Sequence, residues 1–336
     1  MKLSRLMIIA AIAMSASVFT GCKDDDEDTP TLNGTLTFDL PTYVNYGDVY
    51  HLSPTLITKT EDDTDMVGYK FYNSLTSTTD TLRLETDAQS VSRECDFEIS
   101  VDTLGSFTAT YTAFASGYTS KTSSRTFYIV KEGINTGSLT GYDLEGLETF
   151  TDDRDGREYY YSSINGTDWM AQNLAWEDAG VALGEEEAMS YIYGRYYTWD
   201  EAQTACPDGW KLPAESDWVA LATAAGASSA SNLSDIEGVA GALIVDAYFN
   251  DDKLWEYWPE VKMTNAVGFC AIPVGYASIS GDDYSFNGAS TYGVWWTSES
   301  YDSDNGVVRY LIEADPDLYV GVQPKTNFAT SVRCIR

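Results

Sequence analysis

Between Thr35 and Val130, apolar and polar residues alternate with a period of two in five short runs, at 35–40, 67–72, 95–101, 107–113 and 126–130. The runs are rich in Thr, Tyr, Val and Phe, and clusters of Gly, Asn, Asp and Ser separate them. Successive side chains of a strand point to opposite faces, so each run makes a strand with one buried face and one wet face. Several such strands at short, fairly regular spacing predict an all-β sandwich over residues 33–131. The pattern then stops. Residues 131–146 carry four glycines, and 132–146 reads as a linker. Beyond it all nine tryptophans fall between Trp169 and Trp296, and helix signals mix with strand signals. Thr198 and Glu201 form a capping box, in which each side chain satisfies the other residue's backbone at the helix start. Pro213 opens a second helix, with Trp218, Leu221, Ala222 and Ala225 on one face and Gly226 as its stop. Ser234 to Glu237 reads as another capping box, ahead of Val239, Ala240 and Leu243. After Gly268 short strands and glycine turns return, so residues 147–336 are predicted to be α+β.

Composition narrows the chemistry. The 336 residues contain one histidine, His51, which lies in the strand-rich region. A Ser-His-Asp or Cys-His system, or a multi-histidine zinc site, needs imidazoles that this chain lacks. The chain has 52 acidic against 20 basic side chains, a formal charge of -32, which lacks the cations that nucleic acid or an anionic membrane surface requires.

The first residues read as an address. Lys2 and Arg5 precede an apolar run, Leu6 to Met14, and small residues lead on to Gly21 and Cys22. That is the layout of a secretory signal over residues 1–21, and its apolar run is shorter than the roughly 20 residues a membrane span needs. Ending on Gly21-Cys22, it resembles a bacterial lipoprotein signal, which implies lipidation at Cys22. Phe19 stands where such signals usually carry leucine. Lys23, Asp24, Asp25, Asp26, Glu27 and Asp28 follow, within a stretch (22–32) that reads as a solvated tether. Starting one residue after Cys22, the acidic run resembles the export signal of Bacteroidetes surface lipoproteins. Removing residues 1–21 leaves 18 basic and 52 acidic side chains, net -34, and removing the run as well leaves -30. The acidity therefore belongs to the folded part.

Seven ordered blocks carry a family resemblance. They are Phe150 to Tyr160, Ile164 to Leu174, Tyr193 to Ala202, Ala205 to Pro213, Gly268 to Tyr276, Trp295 to Glu299 and Ser331 to Ile335. In this order and spacing they resemble the Fibrobacter succinogenes major paralogous domain over about residues 140–336. The resemblance implies a C-type-lectin-like fold in an exported protein and no particular activity. In the first region, Leu104 to Tyr118 resembles the penultimate strand of bacterial immunoglobulin-like modules, which serve as spacers or adhesive units. The expected architecture is thus an N-terminal all-β Ig-like sandwich followed by a C-terminal α+β C-type-lectin-like domain.

With Cys22 lipidated, Cys95, Cys206, Cys270 and Cys334 remain and allow three full pairings. The resemblance places paired cysteines at Cys206 and Cys334, which leaves Cys95 and Cys270 as buried free thiols. Trp169, Trp199, Trp210, Trp218, Trp295 and Trp296 sit inside the fold-defining blocks and read as core. Trp255 and Trp258 lie in a charged, less patterned segment, 251–259, and are ligand candidates. Tyr276, Tyr284 and Phe286, in a glycine- and aspartate-rich loop at 275–288, are the next candidates. No cofactor is expected. Calcium stays open without a motif specific to it: Asp152 to Gly156 lacks the distal glutamate of a calcium loop and reads as a solvated turn. The Glu-Pro-Asn, Gln-Pro-Asp and Trp-Asn-Asp ligand sets of sugar-binding C-type lectins are absent, and Gln323-Pro324-Lys325 lacks the third ligand. The expectation is a lipid-anchored outer-membrane protein facing the cell exterior, not an enzyme. It would recognise a glycan or a surface protein, touch the membrane only through its anchor, and bind no nucleic acid. The alternative is a structural subunit of a pilus-like or glycan-uptake assembly; an enzyme of formylglycine-generating-like fold ranks below both.

Overall fold

The computed structural model describes residues 29–60, 67–82, 97–255 and 262–336, and it is built mainly of β-sheet. Cys22, the acidic run from Lys23 to Asp28, Cys95 and Trp258 lie outside the described residues. Among the described residues no helix is long and apolar enough to cross a membrane.

The N-terminal region holds β1 (Tyr43–Asn45), β2 (Val49–Leu52), β3 (Gly68–Asn73), β4 (Thr78–Leu82), β5 (Phe97–Ser100), β6 (Gly105–Phe114) and β7 (Lys121–Val130). One sheet has the order β1-β7-β6-β3-β4, with β1 parallel to β7 and the other neighbours antiparallel; β2 and β5 pair separately. The predicted alternation is explicit in β6. Ala109, Tyr111 and Ala113 are fully buried, while Thr110 and Thr112 face outward and meet Ser124 and Thr122 of β7 at 2.9 and 3.3 Å. Leu52 and Ile99 from the smaller sheet share one core with Tyr69, Phe71 and Tyr111 from the larger. The Tyr111 hydroxyl donates to the Leu52 carbonyl at 2.6 Å, joining the two sheets at their centre.

Residues 132–146, read as a linker, are anchored to the molecule at a few points and exposed between them. Leu139 and Tyr142 are buried, and β8 (Leu139–Thr140) will pair with a later strand. The apolar side chains turn inward while Gly137, Gly141 and Gly146 stay exposed at the bends. Past it come β9 (Glu148–Thr151), β10 (Glu158–Ile164) and β11 (Thr167–Met170), an antiparallel sheet with β10 in the middle. Short β12 (Val181–Ala182) and β13 (Arg195–Tyr196) pair on either side of one helical turn, α1 (Ser190–Tyr193).

Two longer helices follow. Helix α2 (Trp199–Ala205) starts on the predicted capping box: the Thr198 hydroxyl accepts from the Glu201 N–H at 3.4 Å, and Glu201 accepts from the Thr198 N–H at 2.8 Å. Helix α3 (Glu215–Ala224) buries Trp218, Leu221 and Ala222. It stops at Gly226, where φ is +103°; Gly226 N–H donates to the Thr223 carbonyl and Ala227 N–H to the Ala222 carbonyl, a Schellman closure. Ser234 to Glu237 is not a capping box. Ile236 bridges to Leu318 from far along the chain, and only a single turn forms afterwards, α4 (Ala240–Leu243). That long-range pairing overrides the local signal, although Val239, Ala240 and Leu243 are buried as expected.

The rest of the chain is β14 (Tyr248–Phe249), β15 (Asp252–Lys253), β16 (Tyr276–Ser280), β17 (Asp283–Asn287), β18 (Tyr292–Ser300), β19 (Asn305–Ile312), β20 (Tyr319–Pro324) and β21 (Phe328–Ala329). Strand β14 pairs with β8 on one side and β15 on the other. The stretch 275–288, expected as a loop, is the hairpin β16–β17, which β21 extends on its other edge. Strands β18, β19 and β20 form an antiparallel sheet with β19 in the middle. One apolar cluster joins the N-terminal sheet to everything after it. Tyr43 stacks on Tyr128 at 5.3 Å and meets Phe249 at 6.5 Å, and Val130 is buried with Leu139, Ile192, Tyr193 and Ile272.

Candidate functional site: an aromatic groove

The β18–β20 sheet separates two environments because its residues alternate faces. On the inner face, Trp295 packs with Trp218 of α3, Phe269 and Leu311. There Arg309 and Glu215, both excluded from solvent, pair through 2.8 and 2.5 Å hydrogen bonds. Arg309 also donates to the Ser234 carbonyl at 2.7 Å, and Glu215 accepts from the Leu233 N–H at 2.7 Å.

On the other face, Tyr292 and Val294 of β18 and Val308 and Tyr310 of β19 floor a groove of about 400 Å³. Tyr276 and Ser278 of β16 and Phe328 of β21 form one wall, and Gln323, Pro324 and Asn327 form the rim. Tyr276 lies flat against Phe328, with ring centroids 5.1 Å apart, and meets Tyr292 at 6.3 Å. Tyr310 stacks on Tyr319 at 5.3 Å. Gly321 makes this floor possible: a Cβ there would stand 3.1 Å from Val308 and 3.2 Å from the Tyr310 ring. Burial first, then the nearby Asp235 carboxylate, raises the Tyr310 phenol above its ordinary value; a hydrogen bond to Asp315, with burial, pushes Tyr319 to about 12. Both phenols are therefore neutral hydroxyls at physiological pH.

None of the lining residues is Asp, Glu, His, Lys, Arg or Cys. Such a groove offers ring faces, two carboxamides and the hydroxyls of Ser278 and three tyrosines, and it can stack and hydrogen-bond a ligand. Lys325, next to the rim, is engaged elsewhere. Its ammonium donates to Ser300 Oγ at 2.7 Å and to the carbonyls of Asp302 and Ser303 at 2.9 and 3.3 Å, and it sits 4.2 Å above the Trp199 ring.

The sequence candidates divide. Tyr276 is a wall of the groove. Trp255 is fully buried, its indole N–H donating to the Ala271 carbonyl at 3.0 Å, so it is core and not a ligand contact; of the charged neighbours that marked it, Asp251 and Asp252 stay exposed. Tyr284 and Phe286 stack on each other at 6.4 Å, and Phe286 turns its edge to Tyr196 at 5.3 Å; they half-bury against the main core and do not line the groove. Of the tryptophans read as core, Trp169, Trp210, Trp218, Trp295 and Trp296 are buried and Trp199 is half-buried under Lys325. Sequence reasoning missed Tyr292, Tyr310, Gln323 and Asn327. The available signal was the i, i+2 pairing of Tyr292 with Val294 and of Val308 with Tyr310.

Cys206 and Cys334 form a disulfide. Cys270 is a buried free thiol, which burial pushes up to about 11 against a counteracting hydrogen bond from Asn265. Asp152 is buried rather than solvated: it accepts from Arg154 Nη2 at 2.7 Å and closes the turn at Gly156. No group of three His, Cys, Asp or Glu side chains among the described residues is placed to hold a metal ion.

The family model of the Fibrobacter succinogenes major domain matches residues 163–336, just over half of the chain. The chain belongs to this family. The sequence blocks place its start near residue 140, and the matched span starts at 163. Every residue lining the groove lies inside that span. No curated protein matches the chain. Among solved structures, the adhesin InvE of Yersinia pseudotuberculosis is similar at 11% identity, over 91% of this chain and 71% of that chain. Its TM-score of 0.26 is too low for that likeness to carry an argument about fold or function.

Proposed function

We propose that this protein is a lipid-anchored, surface-exposed module that binds a glycan or a surface protein and leaves it unchanged. In this reading Cys22 carries the lipid, and the run from Lys23 to Asp28 directs the chain to the outer face of the outer membrane. An Ig-like sandwich supports a C-type-lectin-like domain, and the Fibrobacter succinogenes major domain supplies the ligand site. One observation carries the proposal: an open groove of about 400 Å³, walled by Tyr276, Tyr292, Tyr310 and Phe328 and edged by Gln323 and Asn327. Ligand sites are concave, mostly apolar, and furnished with a few convergent polar groups, and a volume of a few hundred Å³ is in their range.

The test uses the soluble chain from residue 31 onward on a glycan array, alongside co-purification from detergent-solubilised cells. Glycan binding, or capture of one surface protein, that Tyr276→Ala abolishes supports the proposal. Absence of any glycan binding, together with recovery in a stoichiometric surface complex that Tyr276→Ala does not disturb, contradicts it. Protease shaving of intact cells tests the address separately, since protection from added protease is incompatible with surface exposure.

A further inference from the structure

We infer that the groove takes an uncharged glycan and holds it without a metal ion. This rests on the binding reading above and names its ligand class. Charged side chains make up 21% of the sequence and concentrate on surfaces, so ten groove residues would ordinarily include about two; here there are none. An acidic polysaccharide would find no cation in the groove and would meet a chain of formal charge -32. A cationic ligand would find no carboxylate there.

A peptide that adds a strand fits no better. The groove lies over the face of the sheet, and its central strand β19 is already hydrogen-bonded on both sides, to β18 and β20, so its floor offers no free backbone ladder. A pyranose matches what remains. Its C–H face packs on tyrosine rings, and its hydroxyls can both donate to and accept from Gln323, Asn327 and Ser278.

Metal independence follows from a lining without carboxylates and from the engagement of the oxygens around it, beginning with those held by Lys325. Its ammonium occupies the oxygens of Ser300, Asp302 and Ser303 beside the rim, while the Asp302 carboxylate accepts from Asn305 and from the backbone N–H groups of Asp304 and Asn305. The carboxylates beside Tyr310 and Tyr319 are engaged as well: Asp235 accepts from the Val320 N–H at 3.0 Å, and Asp315 accepts from the Asp317 N–H at 3.1 Å and from the Tyr319 hydroxyl.

Affinity electrophoresis of the soluble chain tests the inference. The gels carry neutral polymers (galactomannan, xyloglucan, β-1,3-glucan) or acidic ones (polygalacturonate, alginate), each with calcium chloride or with EDTA. Retardation by at least one neutral polymer, equal in calcium and EDTA, is expected. Tyr276→Ala and Tyr310→Ala should each weaken it about tenfold. Gln323→Ala, which alters only the rim, should weaken it without loss of thermal stability, and Tyr284→Ala, in the same hairpin but outside the groove, should leave it unchanged. Retardation by acidic polymers only, or loss of retardation in EDTA, overturns the inference; if Tyr276→Ala still abolishes that binding, the groove remains the ligand site. No retardation by any polymer, with Tyr276-dependent capture of a surface protein, also overturns the inference and leaves the binding reading standing. No Tyr276-dependent binding of any kind overturns both.

Discussion

Glu215→Gln should destabilise the C-terminal region far more than its single-atom change implies. Glu215 and Arg309 are 1% and 0% exposed, and their paired hydrogen bonds tie the first turn of α3 to the middle of β19. Glutamine keeps one acceptor oxygen and turns an amide donor toward the guanidinium, which leaves a buried cation with two neutral acceptors, that oxygen and the Ser234 carbonyl, and no counter-charge. Breaking a buried ion pair from one side costs about 3–5 kcal/mol, because the remaining charge stays desolvated. At about 2–4 °C per kcal/mol for a unit of roughly 150–250 residues, the melting temperature falls by roughly 10 °C. Arg309 lies between Val308 and Tyr310 on the opposite face of the same strand, so the clamp also fixes the strand that floors the groove. The assay is urea and thermal unfolding of the wild type, Glu215→Gln, and Glu215→Gln with Arg309→Met. The double variant, which removes both charges, should be more stable than Glu215→Gln alone. A loss under about 1 kcal/mol for Glu215→Gln, or a double variant less stable than the single one, would refute the reasoning.

Three further predictions follow from the same physics. Cys206→Ser should cost up to about 4–5 kcal/mol in the chain-entropy view, since the disulfide closes a loop spanning 128 residues; unfolding midpoints with and without reductant check this. Cys270, buried and pushed up to about 11, should resist iodoacetamide at about pH 8 in the folded chain and react once urea unfolds it, as read by peptide mapping. Burial works to raise the Asp152 carboxyl, and the hydrogen bonds and charge of Arg154 outweigh it, so its pKa lies below the ordinary 3.8. Its contribution is present above that value and is lost as pH falls through the lower folded one. Asp152→Asn should therefore be less stable than the wild type at neutral pH, and the gap should close as pH falls below about 4, in acid unfolding followed by circular dichroism.

Local patterns were legible where local forces decide. The Thr198–Glu201 cap, the Gly226 stop and the alternation of β6 each follow from residues within one element, and the structure keeps them. Ser234 to Glu237 misleads because Leu318, some eighty residues later in the chain, takes Ile236 into a bridge. Trp255 misleads in a similar way: its flanking charges are local, whereas its burial against Trp218 and Trp295 is not. The groove was only one-quarter visible in its aromatic walls, through Tyr276. Tyr292, Tyr310 and Phe328 reach it from three other strands, and only the β18–β20 register and the β16–β21 pairing bring them together. The seven blocks carried the family because they encode turns, caps and core tryptophans, which do not depend on the ligand.

The most direct measurement is a titration of the soluble chain with the neutral polymer that retards it most, comparing wild type with Tyr276→Ala and Tyr284→Ala. These tyrosines sit in paired strands of one hairpin, one inside the groove and one outside it. The proposed site predicts binding that Tyr276→Ala weakens about tenfold and Tyr284→Ala leaves intact. Equal binding by all three proteins would contradict it.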